Sequence, residues 1–136
     1  MSANDHPNNV PGVPMVFPPL IHRLQAKYMN PVVLKVARFL PSFAVIEHRG
    51  RKSGKHYETV VNAHRKGKTL AVVLGHGKAD WVKNVLAAGE ADIHLFRQEV
   101  HIVNPRVVTA GTDDPTLPAV ARRAARRIGV FVAETT

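Results

Sequence analysis

The chain has 136 residues, 45% of them hydrophobic, which suits one domain with a real core. It carries no cysteine, so disulfides, thiolate metal sites and a cysteine nucleophile are excluded, and a cytoplasmic location is expected. Nineteen Lys+Arg against ten Asp+Glu leave a net charge of +9, which favours an anionic partner: nucleic acid, an anionic membrane surface, or a small molecule bearing phosphates or carboxylates.

In chain order, Met1 to Pro14 lacks the charged-then-apolar order of a secretion signal, and its Asn and Pro content predicts a flexible lead-in over 1–17. Residues 18–136 then read as a single domain. Leu20, Ile21 and Leu24, then Val32, Val33, Val36, Phe39 and Leu40, recur at helical spacing around Pro31, predicting two short N-terminal helices or one kinked helix. Ser42 to His48 is β-like. His56 to His64 alternates, with Tyr57, Thr59, Val61 and Ala63 on one face, and Thr69 to Leu74 is a continuous apolar strand; basic, glycine-containing turns join the three into a meander. Asp80 is expected to cap a helix that Gly89 stops. Ala91 to Phe96 and Val100 to Val108 read as two more strands around a turn at 97–99. A last helix is expected from a cap at Asp114 or Thr116 through Ile128. Several short strands with one inserted helix predict a small β-barrel with helices rather than a parallel α/β sheet. No stretch of roughly 18 apolar residues is present to span a membrane. A domain this small exposes much surface, so a monomer or a homodimer is expected.

Two constellations can carry chemistry. In Gly50-Arg51-Lys52-Ser53-Gly54-Lys55, two glycines allow successive backbone N–H groups to converge as an anion nest. Arg51 adds a planar fork, Lys52 and Lys55 point charges, and Ser53 a hydroxyl. A solvated hairpin tip is the plain alternative. In Gly75-His76-Gly77-Lys78-Ala79-Asp80-Trp81, a glycine-rich strand-to-helix turn brings free N–H groups and Lys78 to a helix start, where an anion is favoured. The alternative is an ordinary turn with Trp81 in the core. The eight histidines show no metal-ligand spacing: His48, His56 and His64 lack a carboxylate partner in sequence, although His94 and His101 can face each other across the last hairpin. No metal is expected. No nucleophile-elbow motif occurs. Arg122, Arg123, Arg126 and Arg127 crowd one side of the last helix, with Leu117, Val120, Ala121, Ala124 and Ile128 on the other, a pattern for an anionic surface or simply a solvated face. Nucleic acid is the weakest partner, because none of the eight aromatics interleaves with the basic turn.

In combination these residues resemble the deazaflavin-dependent nitroreductase family of actinobacteria, whose members use coenzyme F-420. The resemblance runs over about residues 42 to 108. It is carried by Gly50 to Lys55, Glu58-Thr59-Val60-Val61, Ala71-Val72-Val73-Leu74-Gly75, and Ala79 to Gly89 with Trp81 and Asn84. It implies a split β-barrel of the FMN-binding kind, with about six strands and an inserted helix. It also implies hydride transfer between reduced F-420 and a lipophilic or quinone-like substrate, with FMN the less favoured cofactor. Carried residue by residue, Arg51, Lys52, Ser53, Gly54 and Lys55 hold the phosphate and glutamate tail, and Thr59, Val60 and Val61 line the ring. Gly75, His76, Gly77, Lys78, Trp81 and Asn84 complete the site. The short, proline-free segment from Gly75 to Trp81 resembles a subgroup associated with membranes and fatty acids. That adds a fatty-acid or lipid-binding protein as the alternative, peripheral to the inner face of the membrane. The cofactor carries the hydride; Tyr57 and His76 are the candidate proton donors.

Overall fold

In a computed structural model, residues 12–13, 43–75, 77–95 and 98–136 are described. The helices expected over 18–40, and His76, lie outside them. Strands β1 (Phe43–Arg49), β2 (His56–Lys66) and β3 (Thr69–Val73) form the expected meander. Helix α1 (Asp80–Ala88) follows, then the hairpin of β4 (Glu90–Leu95) and β5 (Gln98–Val108), helix α2 (Ala119–Ala124) and β6 (Val130–Thr135). All strand pairs are antiparallel, and the sheet closes on itself in the order β1-β2-β3-β6-β5-β4. This is the expected split barrel.

The closing strand is the element that patterning does not locate. Val130-Phe131-Val132-Ala133 is apolar on both faces because both are covered. Phe131 and Ala133 point into the barrel, with Ala44, Ile46, Val61, Leu70, Val72, Ile93 and Ile102. Val130 and Val132 point outward, where Ala71 and Val108 meet Leu117, Ala121 and Ala125. Helix α1 adds Trp81, Val82 and Val85 to the interior. The Trp81 ring meets Phe131 edge-on, centroids 5.0 Å apart.

Several element boundaries differ from expectation. The N-cap of α1 is Ala79, without a side-chain cap bond; Asp80 is the first helical residue. Gly89 does end the helix, at φ 79°, its N–H bonding the Val85 carbonyl. The last helix is only six residues long and starts after Pro118. Asp114 instead folds a turn onto Thr116, accepting from its N–H (3.0 Å) and its hydroxyl (2.6 Å). Val120 is exposed, not apolar backing. Gln98 and Glu99 belong to β5 rather than to the turn. Between Val103 and Arg106 the β5–β6 register shifts, and there Asn104 takes φ 52° while Pro105 withholds a ladder donor. Within the lead-in, the Gly12 carbonyl accepts from Ala110 N–H at 2.7 Å, and Val13 is buried so closely against Gly129 that a Cβ there would lie 2.8 Å from it.

Phe131 is wholly buried on the strand that completes the closure. Phe131→Ala should therefore cost about 3–5 kcal/mol, measured by denaturant unfolding. A loss under about 1 kcal/mol would mean that the interior collapses around the gap.

Candidate functional site

The turn at residues 50–55 is shaped by its own backbone. Gly50 N–H bonds the Lys55 carbonyl and Gly54 N–H the Gly50 carbonyl, both at 2.8 Å, while Lys55 N–H bonds Ser53 Oγ at 3.2 Å. Arg51 N–H bonds Asn84 Oδ1 at 3.2 Å. Gly54 needs its φ of 70°, and a Cβ on Gly50 would meet Ser53 Oγ. These internal bonds correct the nest expectation. Of the turn's own amides, those of Lys52 and Ser53 have no acceptor among the described residues. The side chains of Lys52, Ser53 and Lys55 are exposed.

Arg51 is likewise engaged within the protein. Its guanidinium donates to Asn84 Oδ1 (2.8 Å) and to Asp80 Oδ1 (3.4 Å), joining the turn to the first turns of α1. The two constellations therefore meet, with Arg51 as the strap between them rather than a free fork. Gly75 and Gly77 are buried in the approach to α1, Gly77 at φ 73° with its N–H on the Leu74 carbonyl. Lys78 is half-buried. Trp81 lies in the core against Phe131, so it supports the helix and presents little surface to a ligand. On β2, Thr59 and Val61 share the inward face with Tyr57 and Ala63, whereas Val60 points the other way. The three cannot line one surface together through their side chains.

Sequence reasoning misses His48 as a member of this site. Its ring is buried on β1. Asn84 Nδ2 reaches His48 Nδ1 at 3.1 Å, and His48 Nε2 reaches Thr59 Oγ1 at 2.9 Å. The polarity of the chain is forced. Arg51 has only donors, so the Asn84 oxygen must face it and the Asn84 NH₂ must donate to His48. His48 Nδ1 therefore accepts, and Nε2–H donates to Thr59, which requires a neutral imidazole. Burial pushes the His48 pKa down, and nearby His56 adds to this, against a smaller opposing pull from Asp80. The Tyr57 ring stacks on His48 (5.7 Å, 23°), and Lys55 Nζ lies 5.7 Å from the Tyr57 centroid. A histidine on an otherwise apolar inward face is the signal that could have found it.

The other histidines also differ from expectation. His101 opposes Asp92, not His94, and its Nδ1 lies 2.7 Å from Asp92 Oδ1. That bond raises the His101 pKa. His56 finds a carboxylate through space, Glu47 at 3.2 Å. Beyond the far end of β2, Arg65, Lys66, Arg122, Arg123 and Arg126 line an open groove of about 580 Å³ over Leu117 and Pro118. Arg122 is held there by Asp113 through two bonds of 2.7 and 3.2 Å.

A six-stranded antiparallel barrel with a basic turn strapped to a helix start belongs to the split-barrel class. Residues 21–135 match the model of the F420H2-dependent quinone reductase family, and the chain belongs to that family. It is an oxidoreductase, and its cofactor is coenzyme F-420. Solved structures with a similar fold include an F420-H2 dependent reductase, 18% identical over 71% of this chain and 97% of that one (TM-score 0.47). A domain-swapped dimer is 15% identical over 85% and 97% (TM-score 0.49). A protein from Agrobacterium tumefaciens is 17% identical over 90% and 59% (TM-score 0.48). Among curated proteins none matches the chain.

The tautomer of His48 gives a pH test. With its folded pKa below the ordinary imidazole value of about 6.5, the unfolded chain takes up this proton first. Stability is then unaffected above that value and falls as pH drops below it. His48→Gln should flatten this part of the stability–pH curve between about pH 7.5 and 5.5. Parallel curves for the two proteins would show that His48 is not buried neutral.

Proposed function

We propose that the chain transfers a hydride between reduced F-420 and a lipophilic, quinone-like acceptor at the end of the barrel where the turn meets α1. The observation that carries this is the pair of exposed cations, Lys52 and Lys55, without a carboxylate partner among the described residues, on a turn held rigid by Arg51 and Asn84. These two ammonium groups and the Ser53 hydroxyl fit a tail of one phosphate followed by carboxylates better than a lone phosphate.

When bound, F-420 supplies the hydride equivalent. The protein supplies position, electrostatics and protons. Lys52, Ser53 and Lys55 hold the tail, with half-buried Lys78 adding charge at the helix start. Thr59 Oγ, its lone pair taken by His48 Nε2–H, keeps its own proton free to donate beside the ring. Tyr57 is 41% exposed next to Lys55 and is the proton donor nearest to solvent. Gly75, Gly77 and Asn84 shape the wall, and Val61 and Trp81 support it from the core. A quinone accepts one hydride and one proton to become its hydroquinone, so a hydroxyl donor and a bound hydride carrier complete the balance.

The barrel interior is filled by Phe131, Ile46, Leu70, Ile93 and Ile102, all fully buried. An acyl chain therefore has no place among these side chains, while the helices expected over 18–40, on which the lipid-binding alternative relies, lie outside the described residues. No described helix is long and apolar enough to cross a membrane. The peripheral membrane contact belongs to this proposal through Val120, 54% exposed beside Arg123. Val120→Asp with Arg123→Glu should abolish co-sedimentation with phosphatidylglycerol vesicles; unchanged sedimentation would remove the membrane from the reading.

Each charge-assisted contact contributes about 1.5–3 kcal/mol. Lys52→Ala with Lys55→Ala should thus weaken F-420 binding, followed by its fluorescence, by at least about tenfold. Salt should weaken the wild type more than the double variant, because screening acts on the same contacts. F-420 should also bind more tightly than FMN. Equal affinity for the two cofactors, or for the two proteins, would place the tail elsewhere. Oxidation of reduced F-420 by a soluble quinone tests the reaction, and no quinone-dependent oxidation would refute it.

A further inference from the structure

The outer face of β1, β2, β4 and β5 collects Glu47, Glu58, Glu90, Asp92 and Glu99, five of the ten acidic residues of a chain whose net charge is +9. At its centre, Glu47 on β1 stands between two histidines from the flanking strands. Glu47 Oε1 lies 3.2 Å from His56 Nε2 on β2, and Glu47 Oε2 lies 3.1 Å from His94 Nε2 on β4. Each half of this arrangement has a further carboxylate. Ligand atoms of Glu47, His56 and Glu58 all lie within 4.8 Å of one another, and so do those of Glu47, His94 and Glu99. The histidine most engaged with Glu47, His94, is mostly buried, and Glu47 is half-buried.

We propose that this face binds a pair of divalent transition-metal ions bridged by the Glu47 carboxylate, with zinc the best-fitting ion. One ion takes Glu47 Oε1, His56 and Glu58; the other takes Glu47 Oε2, His94 and Glu99. Two donors on a tetrahedral zinc with bonds of about 2.0–2.1 Å are separated by roughly 3.3 Å, close to both Glu47–imidazole spacings. An imidazole and two carboxylates suit zinc rather than magnesium or calcium, which prefer all-oxygen shells. Three protein ligands per ion leave a position for water on each. The scaffold is preorganised, since the Glu47–Glu58 and His94–Glu99 pairs are in direct cross-strand register and the ions would clamp four adjacent strands together.

The test uses the full chain and zinc alone. After equilibrium dialysis against zinc, atomic emission should find two ions per chain. Glu47→Gln, which keeps the shape and removes the bridging charge, should lose both, whereas His56→Ala and His94→Ala should lose one each. His101→Ala should lose none, because His101 pairs with Asp92 outside the cluster. Zinc should raise the Tm of the wild type and not that of Glu47→Gln, since a ligand that binds only the folded state stabilises it; comparable circular dichroism spectra would confirm that the variants are folded. Fewer than two ions on the wild type, or equal loading of wild type and Glu47→Gln, overturns the proposal.

Discussion

The amide of Asn84 fixes the polarity of everything at the turn end of the barrel. An amide has one accepting and one donating end, and each neighbour allows only one orientation. Arg51 offers donors alone, through its backbone N–H and its guanidinium, so the oxygen turns to it. The NH₂ is left for His48, which must then be neutral and must donate onward to Thr59. A turn, a helix and two strands are thereby joined through four side chains, one of them the buried ring of His48. A carboxylate at position 84 would satisfy Arg51 but reverse the rest of the chain, forcing His48 into the tautomer that donates from Nδ1 and accepts at Nε2 from the Thr59 hydroxyl.

This linkage changes how the basic turn works. A nest binds an anion with backbone amides, which suits a single phosphate. Here three of the six amides close the turn on itself and a fourth bonds Asn84, so its glycines shape the loop. What the turn exposes is flexible lysine side chains on a stiff base, and such ammonium groups can spread along an extended chain of charges. The positive charge of the molecule is also unevenly placed. Among the described residues it gathers at this turn and around the far groove, while the outer face of β1, β4 and their neighbours is acidic.

Much of the barrel is legible in the sequence because its interior obeys a simple alternation. Tyr57, Thr59, Val61 and Ala63 fall on one face of β2 as their spacing predicts, and Gly89 ends α1 as a left-handed residue should. Strand β6 is hidden for a physical reason: with Phe131 inside and Val132 covered outside, no period of two survives. The last helix is shorter than its apolar spacing suggests, because Pro118 fixes where it can begin and Asp114 spends its carboxylate on a turn. At the site, residue types single out two segments that the structure brings together. The sequence does not reveal that Arg51 faces inward to Asn84, nor that a histidine on β1 completes the chain, because those contacts join residues 33 and 36 positions apart. The pairing of Glu47 with His56 and His94 is hidden in the same way, since it depends on the strand register.

The strand order has a consequence for the newly made chain. Strand β6 is the last of the six to be synthesised, yet it lies between β3 and β5 and satisfies the free edges of both. Until it emerges, the other strands can form only an open sheet running from β3 through β2, β1 and β4 to β5. Such a sheet presents two unpaired edges and an apolar inner surface to its surroundings. The nascent protein is thus most prone to sticking to its neighbours in the interval before β6 emerges, and the arrival of Val130 to Thr135 relieves that exposure in a single step.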